Sequence, residues 1–120
     1  MSSKIQIYVA EARGLTNMDG LLGKNDAYAI LRVGKQKHKT NILANAGKNP
    51  KWEQTFDFDA CQTDEVIVDV YDYDNIKDDL IGSVKVPLSQ VMSAGQIESW
   101  YALSRGAKNG GEILLKITCV

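Results

Sequence analysis

The chain has 120 residues, of which 44% are hydrophobic and 24% are charged, and its formal net charge is −1 at pH 7. This balance is typical of a globular protein and excludes a disordered chain, and no apolar run reaches the length of a membrane-spanning helix. The length predicts one domain, residues 1–120. The first residues form no apolar signal region, and the two cysteines, Cys61 and Cys119, are expected to be reduced thiols, so the sequence favours a cytoplasmic protein.

The first half of the chain alternates apolar and polar residues in short segments separated by turn residues. Residues 4–10 predict the first strand. Residues 12–25 contain three glycines, which disfavour a helix, and this predicted loop carries Asp19. Residues 26–33 predict a second strand that begins at an aspartate, and residues 36–43 predict a third strand that carries several lysines.

The second half continues this pattern. Aromatic residues over 52–58 predict a fourth strand, and β-branched residues over 66–71 predict a fifth. A sixth strand is expected at 80–86, where a proline ends it, and residues 88–92 are long enough for one helical turn. The last two predicted strands cover residues 99–103 and 112–119, on either side of a glycine-rich loop. Eight short strands with regular turn signals predict an all-β fold, an eight-stranded antiparallel β-sandwich.

Four aspartates follow the fifth predicted strand. Asp72 and Asp74 continue its parity, so they leave the strand on the same side, about 6–7 Å apart. Asp78 and Asp79 follow after a three-residue turn. Each carboxylate in such a group raises the cost of ionising the next, unless a cation lies among them. Calcium is a hard ion that takes 6–8 oxygens, so we predict a calcium site here, with ordinary solvated turn aspartates as the alternative.

Three motifs occur in order along nearly the whole chain. They are Gly14-Leu15 and Met18-Asp19 leading to Asp26-Ala27-Tyr28, then Asn49-Pro50-Lys51-Trp52 with Phe56 and Phe58, then Tyr71-Asp72-Tyr73-Asp74 with Asp79-Leu80-Ile81-Gly82. Together they resemble the C2 domain family of protein kinase C, synaptotagmins and phospholipases. The strand order resembles the type II, phospholipase-like topology. The chain departs from the common pattern at Ala27, where proline is usual, and by one residue in the length of the first and third loops.

The resemblance implies a site for one or two calcium ions at the meeting point of two acidic loops. The implied ligands are the side chains of Asp19, Asp26, Asp72, Asp74 and Asp79 and the backbone carbonyls of Met18 and Tyr73, with Asp78 as a competitor. Six aspartates against Lys24 and Lys77 give this tip about four net negative charges, which repel anionic lipid. Calcium would cancel most of that charge. The expected function is therefore calcium-dependent binding to anionic phospholipid such as phosphatidylserine, with movement from the cytoplasm to the inner face of a membrane.

Apolar residues in the same loops are candidates for membrane contact. Leu21 and Leu22 in the first loop and Ile76 in the third would lie beside the ion. A leucine that leaves water fully contributes about 1.5–3 kcal/mol, and less at an interface. The alternative for Leu21 and Leu22 is that they fold back onto the sandwich.

A group of lysines forms a second candidate site. The basic residues are Lys35, Lys37, Lys39 and Lys51. They could hold the headgroup of a phosphoinositide, since each basic charge near an anionic surface is worth about 1 kcal/mol. The alternative is that they protect an exposed sheet edge. This site keeps open a second function, a calcium-independent adaptor that binds a protein or a phosphoinositide.

Other classes of function fit the residues less well. An EF-hand that started at Asp72 would need glycine at Lys77 and glutamate at Ser83, and its flanks would be helices. An enzyme is not expected, because the one histidine, His38, lies in a lysine run and no catalytic glycine motif is present. Too few basic residues lie beside aromatic ones to favour nucleic acid. A monomer is expected.

Overall fold

Eight antiparallel strands and one short helix make up the computed structural model in the residues that it describes, 3–18 and 23–120. The elements are β1 (Ser3–Arg13), β2 (Ala27–Val33), β3 (Gln36–Lys39), β4 (Lys51–Ala60), β5 (Glu65–Asp72), β6 (Asp79–Pro87), α1 (Leu88–Ala94), β7 (Gln96–Arg105) and β8 (Lys108–Cys119). The strands are ordered β3-β2-β5-β6-β7-β8-β1-β4. The prediction of an all-β, eight-stranded antiparallel sandwich is confirmed, whereas the type II topology stays a prediction.

The sandwich is nearly closed. Strands β6 and β7 pair at one described position, Ser83 opposite Ser104, so the sheet divides there into two halves of four strands. The outermost strands, β3 and β4, meet through side chains. The Gln36 amide donates to the Asp59 carbonyl at 2.6 Å and accepts from the Asp59 N–H at 2.8 Å, as a paired strand would. These bonds cover edges that would otherwise be open to pairing with another chain.

The core lies between the inner faces of the two halves. On β1 the inward residues Ile5, Ile7 and Val9 are fully buried, and on β5 so are Val66 and Val68. Their alternation with outward residues is the period of two that predicted both strands. Burial of this apolar surface is the main stabilising term of the fold.

Several predicted strand boundaries were wrong: β1 continues three residues past its predicted end at residue 10, and β7 begins three residues before residue 99. The third strand ends at Lys39, because Thr40 turns its hydroxyl back to accept the Ala29 N–H at 2.8 Å. The predicted glycine-rich loop before the last strand is mostly sheet: β7 and β8 pair as far as Arg105 and Lys108, with Gly106 at φ 62° in the tight turn. Glycine here permits a left-handed turn instead of a long loop.

Gly110 allows the two halves to approach, and this generates a stability prediction. A Cβ at Gly110 would overlap the Ile81 carbonyl oxygen and lie 3.3 Å from the Gly82 Cα. We expect Gly110→Ala to lower the free energy of unfolding by about 1–3 kcal/mol or more, because backbone cannot move away as a side chain does. The measurement is urea unfolding.

Gly106→Ala is the control for this substitution. Nothing lies within 4 Å of its Cβ position, so only the strain of φ 62° remains, about 1 kcal/mol. An equal decrease in the free energy of unfolding in the two variants would contradict the packing role assigned to Gly110.

Candidate metal centre

Two acidic segments meet at the end of the sandwich where β2 begins and β5 ends. The sheet register places Ala27 opposite Asp72, and Asp72 opposite Asp79 of β6. The Asp72 Oδ1 accepts the Asp26 N–H at 2.8 Å, and the Asp72 side chain is 0% exposed. The structure therefore places Asp26 and Asp72 side by side, while their roles as calcium ligands stay predictions.

Asp26 and Asp74 line one open cleft of about 220 Å³ together with Tyr73 and Asn75. The Asp26 Oδ1 accepts the Asn45 N–H at 2.7 Å, and the Asp74 Oδ1 accepts the Ile76 N–H at 3.0 Å. The Tyr73 N–H donates to the Asp26 carbonyl at 2.9 Å. Backbone groups therefore fix both carboxylates in orientation at the rim of this cleft.

Asp78 is held differently. One carboxylate oxygen accepts the Asp74 N–H at 3.0 Å and the other accepts the hydroxyl of Tyr28. The Asp74 N–H, and next the Tyr28 hydroxyl, lower the pKa of Asp78. Burial, and next the contact with Asp78, raise the pKa of Tyr28. Asp78, which the sequence predicted as a competing ligand, thus forms a hydrogen bond across the third loop.

The remaining candidates in these loops are placed as follows. Asp79 is half-buried in β6, opposite Asp72. Met18 is half-buried and packs on the core. Ile76 is 95% exposed and Tyr73 is 41% exposed, so the third loop presents apolar surface to solvent. Asp19, Leu21 and Leu22 lie outside the described residues.

Asn25 is a residue that the sequence analysis missed. It is fully buried, its amide donates to the Thr16 carbonyl at 2.9 Å, and its Oδ1 accepts the Met18 N–H at 2.9 Å. Its own carbonyl accepts the Gly47 N–H at 3.3 Å. Asn25 therefore joins the first loop to the loop before β4. An asparagine in a glycine-rich loop is an ordinary turn residue, so the sequence carried no signal for this role.

The donor chemistry of this end fits calcium. Within the described residues no three Asp, Glu, His or Cys side chains lie close enough together to hold a metal ion. The groups that do face the cleft, Asp26 and Asp74 beside Tyr73 and Asn75, offer oxygen donors. Oxygen suits calcium, which tolerates irregular geometry and completes its shell with water, whereas zinc favours His and Cys ligands.

The basic residues divide between the two outermost strands. Lys35 precedes β3, and Lys37 and Lys39 lie on it, all exposed. The Lys39 Nζ lies 4.4 Å from the centre of the Tyr28 ring. Lys51 begins β4 in the other half of the sandwich, opposite Glu11 of β1. The structure therefore brings Lys39 to the acidic loops rather than leaving it on a separate patch.

The C2 domain family model matches residues 3–103. The chain belongs to the C2 domain family. This C2 domain is 34% identical to extended synaptotagmin-1 of Rattus norvegicus, over 94% of the chain and 11% of that protein. It is 41% identical to a C2 and GRAM domain-containing protein of Arabidopsis thaliana, over 95% of the chain and 12% of that protein. It thus spans about a tenth of the length of these curated relatives.

A solved structure gives the same result. The calcium-bound structure of two C2 domains of extended synaptotagmin 2 matches with a TM-score of 0.86 and 27% identity, over 98% of this chain and 45% of that one. The chain is similar to C2 domains of the synaptotagmin type, which support membrane binding. No helix in residues 3–18 and 23–120 is long and apolar enough to cross a bilayer. The flanks of the third loop are strands, which excludes the EF-hand.

The lowered pKa of Asp78 gives a pH dependence. A carboxyl group with a depressed folded-state pKa contributes stability above its unfolded value of 3.8, and the contribution is lost as pH falls through the folded value. With a chelator present, we expect Asp78→Asn to be less stable than wild type at pH 7. The difference between the two free energies of unfolding, measured with urea, should narrow below about pH 4.

Asp57→Asn is the control for the pH series, since Asp57 is an exposed aspartate on β4, away from the third loop. The difference between its free energy of unfolding and that of wild type should stay small from pH 7 to pH 3. If the free energies of unfolding of Asp78→Asn and wild type differed by the same amount from pH 7 to pH 3, the lowered pKa assigned to Asp78 would be contradicted.

Proposed function

We propose that this C2 domain binds anionic phospholipid membranes when calcium occupies the end of the sandwich formed by the first and third loops. The observation that supports this most is the meeting of Asp26 with Asp72 and the shared cleft of Asp26 and Asp74. The calcium-bound state of the similar extended synaptotagmin 2 domains adds support. The proposed lipid is phosphatidylserine, and the proposed location is the cytoplasm and, after calcium rises, the inner face of a membrane.

The proposed ligands for one or two calcium ions come from both loops. They are the side chains of Asp19, Asp26, Asp72, Asp74 and Asp79 and the backbone carbonyls of Met18 and Tyr73. When bound, calcium would supply positive charge and open coordination positions for lipid oxygens. Hydrogen bonds of Asp26 with Tyr73 and Asp72 hold the two segments beside each other before an ion binds, and the carboxylates would have to draw closer around it.

Charge is the basis of the proposed switch. The sequence of the two loops contains six aspartates against Lys24 and Lys77, and Lys39 adds one positive charge beside the third loop, so without calcium the tip stays negative and repels an anionic surface. Ile76 is 95% exposed on that tip, and a membrane would remove its apolar side chain from water. The proposed roles of Leu21 and Leu22 in membrane contact rest on sequence alone.

Neutralising the cleft tests the calcium-dependent function. We expect Asp26→Asn with Asp74→Asn to lose most of the calcium-stimulated binding to phosphatidylserine vesicles, because asparagine keeps one oxygen but not the charge. The same variant should bind slightly more than wild type in chelator, because the tip repels the vesicle less. The measurement is cosedimentation over a calcium series.

Asp57→Asn with Asp59→Asn is the control with the same change in net charge, placed on exposed positions of β4. It should respond to calcium as wild type does. Wild-type protein whose vesicle binding is the same in calcium and in chelator would refute the calcium-dependent function.

A second function is favoured by the exposed lysines of β3. In this function the domain binds a phosphoinositide or a protein partner without calcium, through Lys35, Lys37, Lys39 and Lys51. Lys37 lies opposite Arg32 on the outward face of the half-sandwich, which adds a further basic group to that face. Arg32 is partly neutralised by an ion pair with Asp69 at 2.6 Å.

Lys35→Ala with Lys37→Ala tests this second function without disturbing the Lys39 contact with Tyr28. With phosphatidylinositol bisphosphate vesicles in chelator, two lost charges should weaken binding roughly thirtyfold, at about 1 kcal/mol each. Lys4→Ala with Lys108→Ala, two exposed lysines elsewhere, is the matched control. Equal binding by the two double variants would show that β3 is not the site.

A further inference from the structure

The Asp78 carboxylate joins three parts of the chain. It accepts the Asp74 N–H with Oδ1 and the Tyr28 hydroxyl with Oδ2. Asp74 begins the turn of the third loop, Asp78 ends it, and Tyr28 lies on β2. Both oxygens of the Asp78 carboxylate therefore accept a hydrogen bond from the protein, which ties this side chain to the third loop and to β2.

Tyr28 is held firmly on the outward face of its sheet. Its neighbours Ala27 and Ala29 point into the core, yet Tyr28 itself is only 4% exposed. Its ring stacks on Tyr71 at 5.5 Å and is covered by the Lys39 Nζ at 4.4 Å. The hydroxyl is thus presented to the third loop by a side chain that has little freedom of its own, which favours a bond of fixed geometry.

The short segment 26–28 holds the third loop at both ends. Asp26 bonds the entry of the loop through the Asp72 carboxylate and the Tyr73 N–H. Tyr28 bonds its exit through Asp78. A loop fixed at both ends loses less conformational entropy when it binds a ligand than a loop fixed at one end.

We propose that the Tyr28 hydroxyl and the Asp78 carboxylate form a latch that sets the position of Asp74, so that Asp78 is a positioning residue and not a ligand. The effect of the latch on calcium rests on the function proposed above. The effect of the latch on the position of the loop does not rest on that function, because the hydrogen bonds form without any ion. The alternative assignment, Asp78 as a ligand, makes the opposite prediction for the hydroxyl: its removal would release an oxygen for the ion.

A double-mutant cycle on calcium response separates the two assignments. Tyr28→Phe keeps the ring, its stacking and the Lys39 contact but removes the hydroxyl. We expect it to raise the calcium concentration for half-maximal binding to phosphatidylserine vesicles about fivefold to tenfold, the value of one hydrogen bond. In the Asp78→Ala background, Tyr28→Phe should have no further effect, because the partner is already absent.

Tyr71→Phe is the matched control. It makes the same chemical change on the ring stacked against Tyr28, and its calcium midpoint should equal that of wild type. An unchanged or lower calcium midpoint for Tyr28→Phe would overturn the latch in favour of a ligand role for Asp78. The same conclusion would follow if the effects of Tyr28→Phe and Asp78→Ala on the midpoint added fully in the double variant.

Amide hydrogen exchange in chelator tests the latch without calcium. Tyr28→Phe should speed exchange of the Asp74 N–H several-fold, while Tyr71→Phe leaves it unchanged. Unchanged exchange at Asp74 in Tyr28→Phe would overturn the latch whether or not the domain binds calcium. A wild-type protein that shows no calcium response but does show this exchange pattern would refute the proposed function and keep the latch.

Discussion

The hydrogen bond from the Asp26 N–H to the buried Asp72 carboxylate is the constraint on which the functional end depends. Asp72 has the same strand parity as Val66, Val68 and Val70, so β5 aims it into the core stripe just where that stripe reaches the end of the sandwich. A buried carboxylate costs free energy unless its environment provides partners. A polar residue in an apolar position is a local conflict of the kind found at functional sites.

The strands carry the ends of the third loop into place. Pairing of β2 with β5 and of β5 with β6 fixes both ends of the third loop, which spans only residues 73–78. Asn25 performs a similar role for the first loop with buried hydrogen bonds. A site assembled in this way can change its charge without changing its fold, since binding an ion alters the surface potential and leaves the core packing intact.

Strand periodicity is a local property, and this is why the sequence predicted the eight strands. The meeting of the two acidic segments was implied by the resemblance to C2 domains and not by periodicity. Hydrogen bonds across the structure are not local. Thr40 ends β3 by bonding to Ala29, and Tyr28 reaches Asp78 only because of how β2 and the third loop are folded. Asp78 shares its residue type with every proposed side-chain ligand, so no sequence pattern could separate its role from theirs. The contacts that distinguish them depend on register, which the hydrophobic pattern fixes only in part.

The acidic loops and the basic strand are adjacent, and this relates the two candidate functions. Lys39 lies over the Tyr28 ring, and the hydroxyl of that ring bonds Asp78, so a single tyrosine separates the lysines from the third loop. The positive Lys39 and the negative Asp78 attract each other, and each lowers the electrostatic field that the other presents to solvent. A ligand that draws Lys39 away from Tyr28 acts on the same side chain that holds the loop, and by linkage an ion in the loop acts equally on that ligand. The proposed calcium site and the proposed headgroup site would therefore be coupled to the extent that Tyr28 moves, and a rigid Tyr28, stacked on Tyr71, would keep them independent.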